Sequence, residues 1–281
     1  MQERKITNEL ITEFEMYLYE EERSDNTIEK YMRDIRFFRE WLQDRNIDKS
    51  VVIEYKKELC ERYAIKSVNS MLSSINAFFI FMGWYDLKVK TLKIQRRIFA
   101  DKSKELSKTE YERLLAAAKN KNNERLYYLM QTIASTGLRV SEIKYVTCEA
   151  VRQGQAVINC KGKIRQIFLP KKLCKMLLSY IKERNIKSGS VFVTKTGKPL
   201  DRSHIWKMLK SLCEAAGVSR YKVFPHNFRH LFARTFYSLQ KDIVRLADIL
   251  GHSNIETTRI YTMESGTEHI KQLQKLGLLR C

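Results

Sequence analysis

Apolar side chains recur every three to four residues through the first third of the chain, and this spacing restricts its fold more than any other feature. A period of 3.6 residues is that of an amphipathic α-helix. Residues 7–83 are therefore predicted to form a compact unit of four helices. Further apolar stretches at 51–63 and 68–82 follow the two clearest sets, which are Leu10, Ile11, Phe14, Tyr17 and Leu18, and then Ile28, Tyr31, Ile35, Phe38 and Leu42.

Residues that favour helix ends accompany this pattern. Asp25 or Asn26 can cap the second helix, and Glu29 is available to complete a capping box. Gly83 can end the fourth helix, since glycine adopts the left-handed backbone common at helix ends.

Basic residues accumulate where the apolar period lapses, at 87–104. Asp101 is the one acidic residue among them. Exposed positive charge suits a solvated linker and a strap along a phosphate backbone equally well, so both interpretations stay open. The segment is predicted to separate a helical domain at 1–86 from a second domain at 105–281.

The second domain is predicted to mix helices with a small sheet. Ser107 and Glu110 form a capping box, and a helix from about residue 123 ends at Gly137. Two short β-like runs, 156–159 and 164–169, flank a glycine turn and predict a hairpin. The expected fold class is mainly α with one small β-sheet, because the remaining predicted helices are 171–184, 202–215, 226–238, 241–250, 254–262 and 267–278.

Positive charge is concentrated in this second domain. The 281 residues include 52 lysines and arginines against 32 aspartates and glutamates, a formal charge of +20, yet the first 100 residues hold 18 basic and 17 acidic side chains. Such a field favours a polyanionic partner, with binding that weakens steeply as salt rises. Nucleic acid is the favoured partner, and the alternatives are an anionic membrane surface and charge that serves only solubility.

The six cysteines include no C-x-x-C pair and no Cys/His spacing that holds zinc. No apolar run reaches the 18 or so residues needed to span a bilayer. We therefore expect reduced thiols, no metal, no cofactor, no membrane association and a cytoplasmic, nucleoid-associated location.

Three short motifs carry side chains suited to phosphate chemistry. Arg139 directly follows Gly137, where a helix junction can present its two-pronged donor to a phosphate. His226 and Arg229 lie three residues apart on one face of a predicted helix. Taken singly, each motif is also explained by a surface salt bridge or a helix cap.

The third motif is Leu-Gly-His at 250–252, followed by Tyr261. Gly251 ends one helix, Asn254 can cap the next, and His252 lies in the corner between them. A lone tyrosine here would be half-buried core. With two arginines to offset charge on a phosphate, and with groups to move protons, its phenol could attack a phosphodiester without metal.

The ordered motifs resemble the tyrosine recombinase (phage integrase) family, most closely its short Xer-like members. The similar segments are Thr-Gly-Leu-Arg-x-Ser-Glu at 136–142, a Lys-Gly hairpin at 161–162, His-x-x-Arg-His at 226–230, Leu-Gly-His at 250–252 and Ile-Tyr-Thr at 260–262. The likeness covers nearly the whole chain, because the N-terminal helical pattern of the family is also present at Asn26-Thr27, Tyr31, Asp34, Phe38 and Trp41-Leu42.

This resemblance implies a role for each matching residue. Tyr261 would be the nucleophile that becomes joined to a DNA 3′ phosphate, and Arg139 and Arg229 would hold the scissile phosphate. Lys161 would protonate the leaving 5′ oxygen, with Lys163 a weaker rival.

The histidines and one acid complete the implied site. His226 is similar to the residue that accepts the tyrosine proton, and His252 to a further donor to the phosphate, although which histidine is the base stays open. Glu142 would support the site from behind, or form a plain salt bridge. His230 is expected to face away from His226 and to be structural.

The chain also departs from the family pattern. After Glu142 the family usually has a Leu-x-Trp-x-Asp type of sequence, whereas residues 143–150 read Ile-Lys-Tyr-Val-Thr-Cys-Glu-Ala, which puts the local packing in doubt. The match begins within the first ten or so residues, so no separate arm-binding domain is expected. The tail at 263–281 either packs into a neighbouring subunit, as in relatives, or folds onto its own domain.

The resemblance implies a site-specific DNA recombinase with an N-terminal DNA-binding domain and a catalytic domain that close around the duplex. It implies inverted-repeat core sites, a homotetramer on DNA, and a role in integration, excision, inversion or dimer resolution, with an accessory protein or partner recombinase as an option. The alternatives are DNA relaxation of the type IB topoisomerase kind and a catalytically silent DNA-binding regulator.

Overall fold

The computed structural model describes residues 4–43, 45–94, 102–160, 163–261 and 274–275, without the side chains of residues 102, 160 and 163. Backbone contacts divide the chain into two compact units, Met1–Arg96 and Arg97–Cys281. None of the described helices is long and apolar enough to cross a membrane.

The N-terminal unit contains the four predicted helices. They are α1 (Asn8–Glu20), α2 (Asp25–Leu42), α3 (Lys49–Arg62) and α4 (Ile65–Phe81). Their apolar faces meet in one core rich in aromatic rings, in which Phe14 contacts Phe78 edge to face at a centroid distance of 5.3 Å. The apolar period thus predicted this unit correctly.

The predicted cap of α2 was wrong by one residue. Ser24 is the N-cap, with extended backbone angles, and Asp25 is already the first helical residue. The Ser24 hydroxyl makes no capping bond to the backbone and instead lies 2.9 Å from the Thr27 hydroxyl, while Asp25 places negative charge at the positive end of the helix dipole. Since the third helical position is then Thr27, Glu29 cannot close a capping box.

The basic segment after α4 is bound to the helical unit as far as residue 92. The side-chain amide of Asn76 donates to the carbonyl of Val89 at 2.8 Å and accepts from its N–H at 3.0 Å. Asn69 forms the same pair of bonds with Leu92, at 2.8 and 2.7 Å. Leu87 and Val89 are also buried in the core. The helical unit therefore extends beyond residue 86, while 95–101 lie outside the described residues.

The second unit combines helices with one antiparallel hairpin, as predicted. Ser107 and Glu110 make the expected capping box at the start of α5, and α6 ends at Gly137 with φ +67°. In the hairpin, Ile158 pairs with Arg165 and Ala156 with Ile167. The elements are α5 (Lys108–Asn120), α6 (Glu124–Thr136), α7 (Cys148–Gln153), β1 (Gln155–Cys160), β2 (Lys163–Phe168), α8 (Lys171–Glu183), α9 (Arg202–Lys210), α10 (Cys213–Ala216), α11 (Pro225–Gln240), α12 (Ile243–Leu250) and α13 (Glu256–Arg259).

Two of the predicted helices in this unit differ from the structure, and a third falls almost entirely outside the described residues. The helix expected at 202–215 is interrupted after Lys210, where the Ser211 hydroxyl donates to the Met208 carbonyl at 2.8 Å and competes with the backbone pattern. The helix expected at 254–262 is reduced to the single turn of α13. The terminal helix at 267–278 lies outside the described residues, apart from 274–275.

The segment that departs from the family pattern is well packed. Residues Val140–Tyr145 form a 3₁₀-helix. Ile143, Val146 and Cys148 are each at most 1% exposed and belong to the main core of this unit. The altered sequence therefore leaves no packing defect beneath the loop that carries Arg139.

Candidate active site

Arg139 is held at the junction between α6 and the 3₁₀-helix. Its Nη1 donates to Oε1 of Glu142 at 3.0 Å, and its backbone N–H donates to Oε2 at 2.7 Å. Its Nη2 donates to the carbonyl of Gly251 at 3.2 Å. Glu142 is only 3% exposed, whereas the Arg139 side chain is 41% exposed. The guanidinium of Arg139 is thus fixed by Glu142 and Gly251 on one side and accessible to solvent on the other.

Arg229 is the second arginine, and it is buried to 1% exposure on α11. Its Nη1 donates to the carbonyl of Gly137 at 2.5 Å, and its Nη2 donates to the carbonyl of Leu250 at 2.7 Å. Burial, reinforced by the charge of Arg139, lowers the pKa of Arg229 to about 10, so it stays a cation at neutral pH. The two terminal nitrogens of Arg229 thus bond to the backbone at the two glycine turns, one at Gly137 and the other just before Gly251.

His252 lies in the corner after α12, as its motif predicted. Its Nε2 is 3.0 Å from Nη2 of Arg229, which can only donate, so Nε2 accepts and Nδ1 carries the proton. Nδ1 then donates to the Thr258 hydroxyl at 2.8 Å. Burial and the nearby arginines, first among them Arg229, lower the pKa of His252 to about 4. The imidazole is therefore neutral at physiological pH.

His230 corrects an expectation from the sequence. It does not face away from His226: a spacing of four residues on α11 puts both on one face, with ring centroids 4.4 Å apart. On its other side, His230 meets the Tyr261 ring edge to face at 4.8 Å. Burial, and then the neighbouring His226, Arg234 and Arg229, lower the pKa of His230 to about 3, so a neutral ring separates His226 from Tyr261.

Tyr261 is buried to 4% exposure, more deeply than the half-buried position a lone tyrosine suggested. It packs in a small cluster with Ala233 and Leu250, and its ring stacks on His252 at 6.2 Å. Burial raises the pKa of the phenol, while the charges and hydrogen bonding of Arg229 and then the charge of Arg139 act to lower it.

His226 is exposed at the start of α11, three residues before Arg229. Desolvation by its neighbours, followed by the charges of Arg229, Arg139 and Arg202, lowers the pKa of His226. Its imidazole is therefore able to accept a proton at neutral pH.

Arg165 was missed by the sequence analysis, although the structure places it against the site. Its Nη2 donates to Oε2 of Glu142 at 2.5 Å, and its Nη1 donates to the carbonyl of Ile249 at 2.8 Å. The signal for it was strand alternation, because Arg165 shares the inward face of β2 with buried Ile167, while Ile164 and Phe168 face out.

The structure therefore brings Arg139, Arg229, His252 and Tyr261 together, with His226 joined to Tyr261 through His230. Lys161 lies outside the described residues, and only the backbone of Lys163 is described. Within the described part of the chain, no group of three His, Cys, Asp or Glu side chains is placed to hold a metal ion.

This arrangement can be compared with known proteins. Residues 104–268 match the phage integrase family, and residues 11–84 match the phage integrase N-terminal SAM-like domain. The chain belongs to the phage integrase family. Tyrosine recombinase XerA of Thermococcus kodakarensis is 31% identical over 283 residues, which cover 97% of this chain and 96% of that protein.

Solved structures agree with this membership of the phage integrase family. The crystal structure of XerA recombinase is 26% identical and covers 98% of this chain and 100% of that one, with a TM-score of 0.53. A λ integrase dimer bound to a core site shares the fold at a TM-score of 0.74 and 17% identity, over 92% of this chain and 96% of that one. The protein is thus a site-specific recombinase of the tyrosine type, and neither the topoisomerase nor the silent regulator is favoured.

Proposed function

We propose that this phage integrase family member cuts and rejoins DNA through a covalent bond between Tyr261 and a DNA 3′ phosphate. The phenolic oxygen attacks phosphorus, the bond from phosphorus to the 5′ oxygen breaks, and the free 5′ hydroxyl leaves. Attack of a 5′ hydroxyl on the phosphotyrosine reverses these events and seals a strand. The observation that carries the proposal is the convergence of Arg139, Arg229, His252 and Tyr261 on the loop after α12.

The two arginines stabilise charge that gathers on the non-bridging oxygens of the phosphate. Groups fixed before the reaction do this best, because they need no reorganisation as charge develops. Arg139 is fixed by Glu142 and Gly251, and Arg229 is fixed by Gly137 and Leu250. The scissile phosphate binds to the solvent-accessible side of the Arg139 guanidinium.

His226 is the base that accepts the phenolic proton in this proposal. Both nitrogens of His252 are already used, by Arg229 and Thr258, which leaves it no lone pair for a proton. His226 is exposed and its lowered pKa keeps it neutral. Lys161 supplies the proton to the leaving 5′ oxygen, so proton transfer balances within the site.

Tyr261 must move before it can attack, because 4% exposure leaves no path from the phenol to DNA. The single turn of α13, Glu256–Arg259, precedes it and offers little resistance to such a movement. DNA binding therefore shifts Tyr261 from the cluster with Ala233 and Leu250 toward the phosphate.

The partner is duplex DNA with inverted-repeat core sites, on which four subunits exchange strands between two duplexes. Each broken phosphodiester bond is replaced by a phosphotyrosine bond, so religation requires neither ATP nor magnesium. The tail at 263–281 couples neighbouring subunits. An accessory protein or partner recombinase, and the choice among integration, excision, inversion and dimer resolution, depend on the DNA site.

Covalent trapping tests the proposal. The protein is incubated with DNA flanking its own gene, without metal or ATP, and quenched with SDS, and the attached fragments are sequenced. We expect the protein to be attached to the 3′-phosphate end of the broken strand, leaving a free 5′ hydroxyl on the other fragment, and this adduct should disappear in Tyr261→Phe.

Tyr237→Phe is the matched control, since Tyr237 packs against the same small cluster and loses the same hydroxyl group. It should keep the adduct. An adduct that survives Tyr261→Phe, or one lost equally in both variants, would contradict the assignment of the nucleophile.

A further inference from the structure

The last carbonyls of α12 are shared between backbone and arginine donors. A helix end leaves four carbonyls without intrahelical partners. Those of Ala247 and Asp248 accept from the N–H groups of Gly251 and His252 in the turn. The last two helical carbonyls accept from arginines, Ile249 from Arg165 and Leu250 from Arg229, and the carbonyl of the C-cap Gly251 accepts from Arg139.

Arg165 differs from the other two arginines in its origin. It comes from β2, the strand that follows the hairpin turn, and its side chain is 16% exposed. Its fork spans two partners, the Glu142 carboxylate at 2.5 Å and the Ile249 carbonyl at 2.8 Å. It therefore ties the hairpin to both supports of Arg139.

The glycine of the Leu-Gly-His motif makes room for this arginine. A Cβ atom on Gly251 would lie 2.6 Å from Cδ of Arg165 and 2.9 Å from its Nη1. Cβ atoms essentially never come within 3.0 Å of a non-bonded heavy atom, so a side chain at 251 requires Arg165 to shift. The motif glycine is thus required by a contact with Arg165 as well as by its φ of +62°.

We propose that Arg165 is a positioning residue of the recombinase, which sets Arg139 for catalysis without touching the phosphate. The proposal rests on the proposed function, because it concerns the same phosphate site. Arg165 acts in two ways: it neutralises Glu142, which is buried with two positive partners, and it fixes the loop whose Gly251 carbonyl holds Arg139.

Removing this support should slow chemistry more than it weakens binding. A displacement of about 1 Å in a catalytic group can cost about 100-fold in rate. The substrate is a duplex identified by the covalent-trapping experiment. We expect Arg165→Met to slow cleavage of this duplex by about 10- to 100-fold, while the affinity for it changes less than about 3-fold. Arg165→Lys keeps the charge but cannot bridge both partners, so it should restore cleavage only in part.

Two comparisons separate positioning from a general structural role. Arg184→Met is the matched control, because Arg184 forms an exposed ion pair with Glu124 at 2.9 Å in the same unit; it should cleave normally. In an Arg139→Ala background, Arg165→Met should cause little further loss, since its effect passes through Arg139. Additive losses, or normal cleavage by Arg165→Met, would overturn the proposal.

A readout independent of cleavage distinguishes this failure from failure of the proposed function. The side-chain ¹⁵N–¹H signals of Arg139 in the free protein should be observable and slowly exchanging, and Arg165→Met should broaden or shift them while Arg184→Met does not. If the native protein forms no adduct, the proposed function fails and these signals alone decide on Arg165. Unchanged Arg139 signals in Arg165→Met would then refute its positioning role.

Discussion

Gly251→Ala should destabilise the catalytic unit far more than an ordinary loop substitution, because two costs combine at this position. The first is the left-handed backbone, which costs an L residue about 1–2 kcal/mol. The second is the overlap with Arg165, whose Cδ would be 2.6 Å from the new Cβ. Arg165 cannot swing aside freely, since Glu142 and Ile249 hold both ends of its fork.

The size of the second cost follows from what Arg165 must give up. Overpacking a close contact typically costs about 1–3 kcal/mol, and losing one charge-assisted hydrogen bond costs about 1.5–3 kcal/mol. These two outcomes are alternatives, since a side chain that moves relieves the overlap. We therefore expect Gly251→Ala to lower the free energy of unfolding by about 2–5 kcal/mol in total.

Gly154→Ala provides the matched control for backbone strain. Gly154 also has a left-handed φ, +74°, but nothing lies within 4 Å of the position that its Cβ would take. It should cost about 1–2 kcal/mol, the strain alone. Denaturant unfolding of both variants, with the transition of the catalytic unit followed separately, measures the difference.

A double-mutant cycle isolates the contact itself. In an Arg165→Ala background the three atoms nearest to the new Cβ are gone, so Gly251→Ala should cost about as much as Gly154→Ala. If Arg165→Ala leaves Glu142 too poorly compensated to fold, Arg165→Ala with Glu142→Gln supplies the background. Equal costs of Gly251→Ala with and without Arg165 would refute the reasoning.

Three further changes test other parts of the structure. His230→Phe should flatten the dependence of stability on pH: the folded pKa of about 3 lies below the ordinary value near 6.5, so the unfolded chain binds more protons and stability falls as pH drops from 6.5. Unfolding midpoints at pH 5 and 7 measure this, and parallel profiles for both proteins would contradict it. Ser107→Ala should cost about 1 kcal/mol by removing the cap of α5, seen as a lower denaturant midpoint for the catalytic unit, whereas an unchanged midpoint would deny the cap any net role. Asp34→Asn should cost the helical unit about 1.5–3 kcal/mol, because buried Asp34 pairs with Lys30 at 3.0 Å; thermal unfolding that matches the native protein would count against this.

Features written in local sequence were predictable from it. The capping box at Ser107 and Glu110 needs only residues three apart, and the end of α6 needs only Gly137. The four N-terminal helices follow from apolar spacing alone. His230 was also within reach, since a spacing of four residues places it beside His226, and the error lay in applying the helical period.

Features that depend on distant partners were not predictable in the same way. Arg165 and Gly251 are 86 positions apart, and nothing in either residue type predicts their contact. The depth of Tyr261 depends on Ala233 and Leu250 from two other helices, which no local pattern specifies. Strand alternation puts Arg165 on the inward face of β2. Its partner, the Ile249 carbonyl at the end of α12, could be identified only from the structure.

Backbone carbonyls at the end of α12 and at Gly251 hold the three arginines without cancelling their positive charge. A carboxylate for each arginine would fix it equally well but would leave no net attraction for a phosphate. Carbonyls at the end of α12 carry only partial negative charge, reinforced by the helix dipole. Glu142 is a single carboxylate that bonds to both Arg139 and Arg165, so these two arginines, Arg229 and Glu142 together carry a net charge of two positive units. Removing Arg165 therefore loosens Arg139 at the phosphate site, whereas duplex binding is spread over many phosphates, which is why chemistry should suffer more than binding.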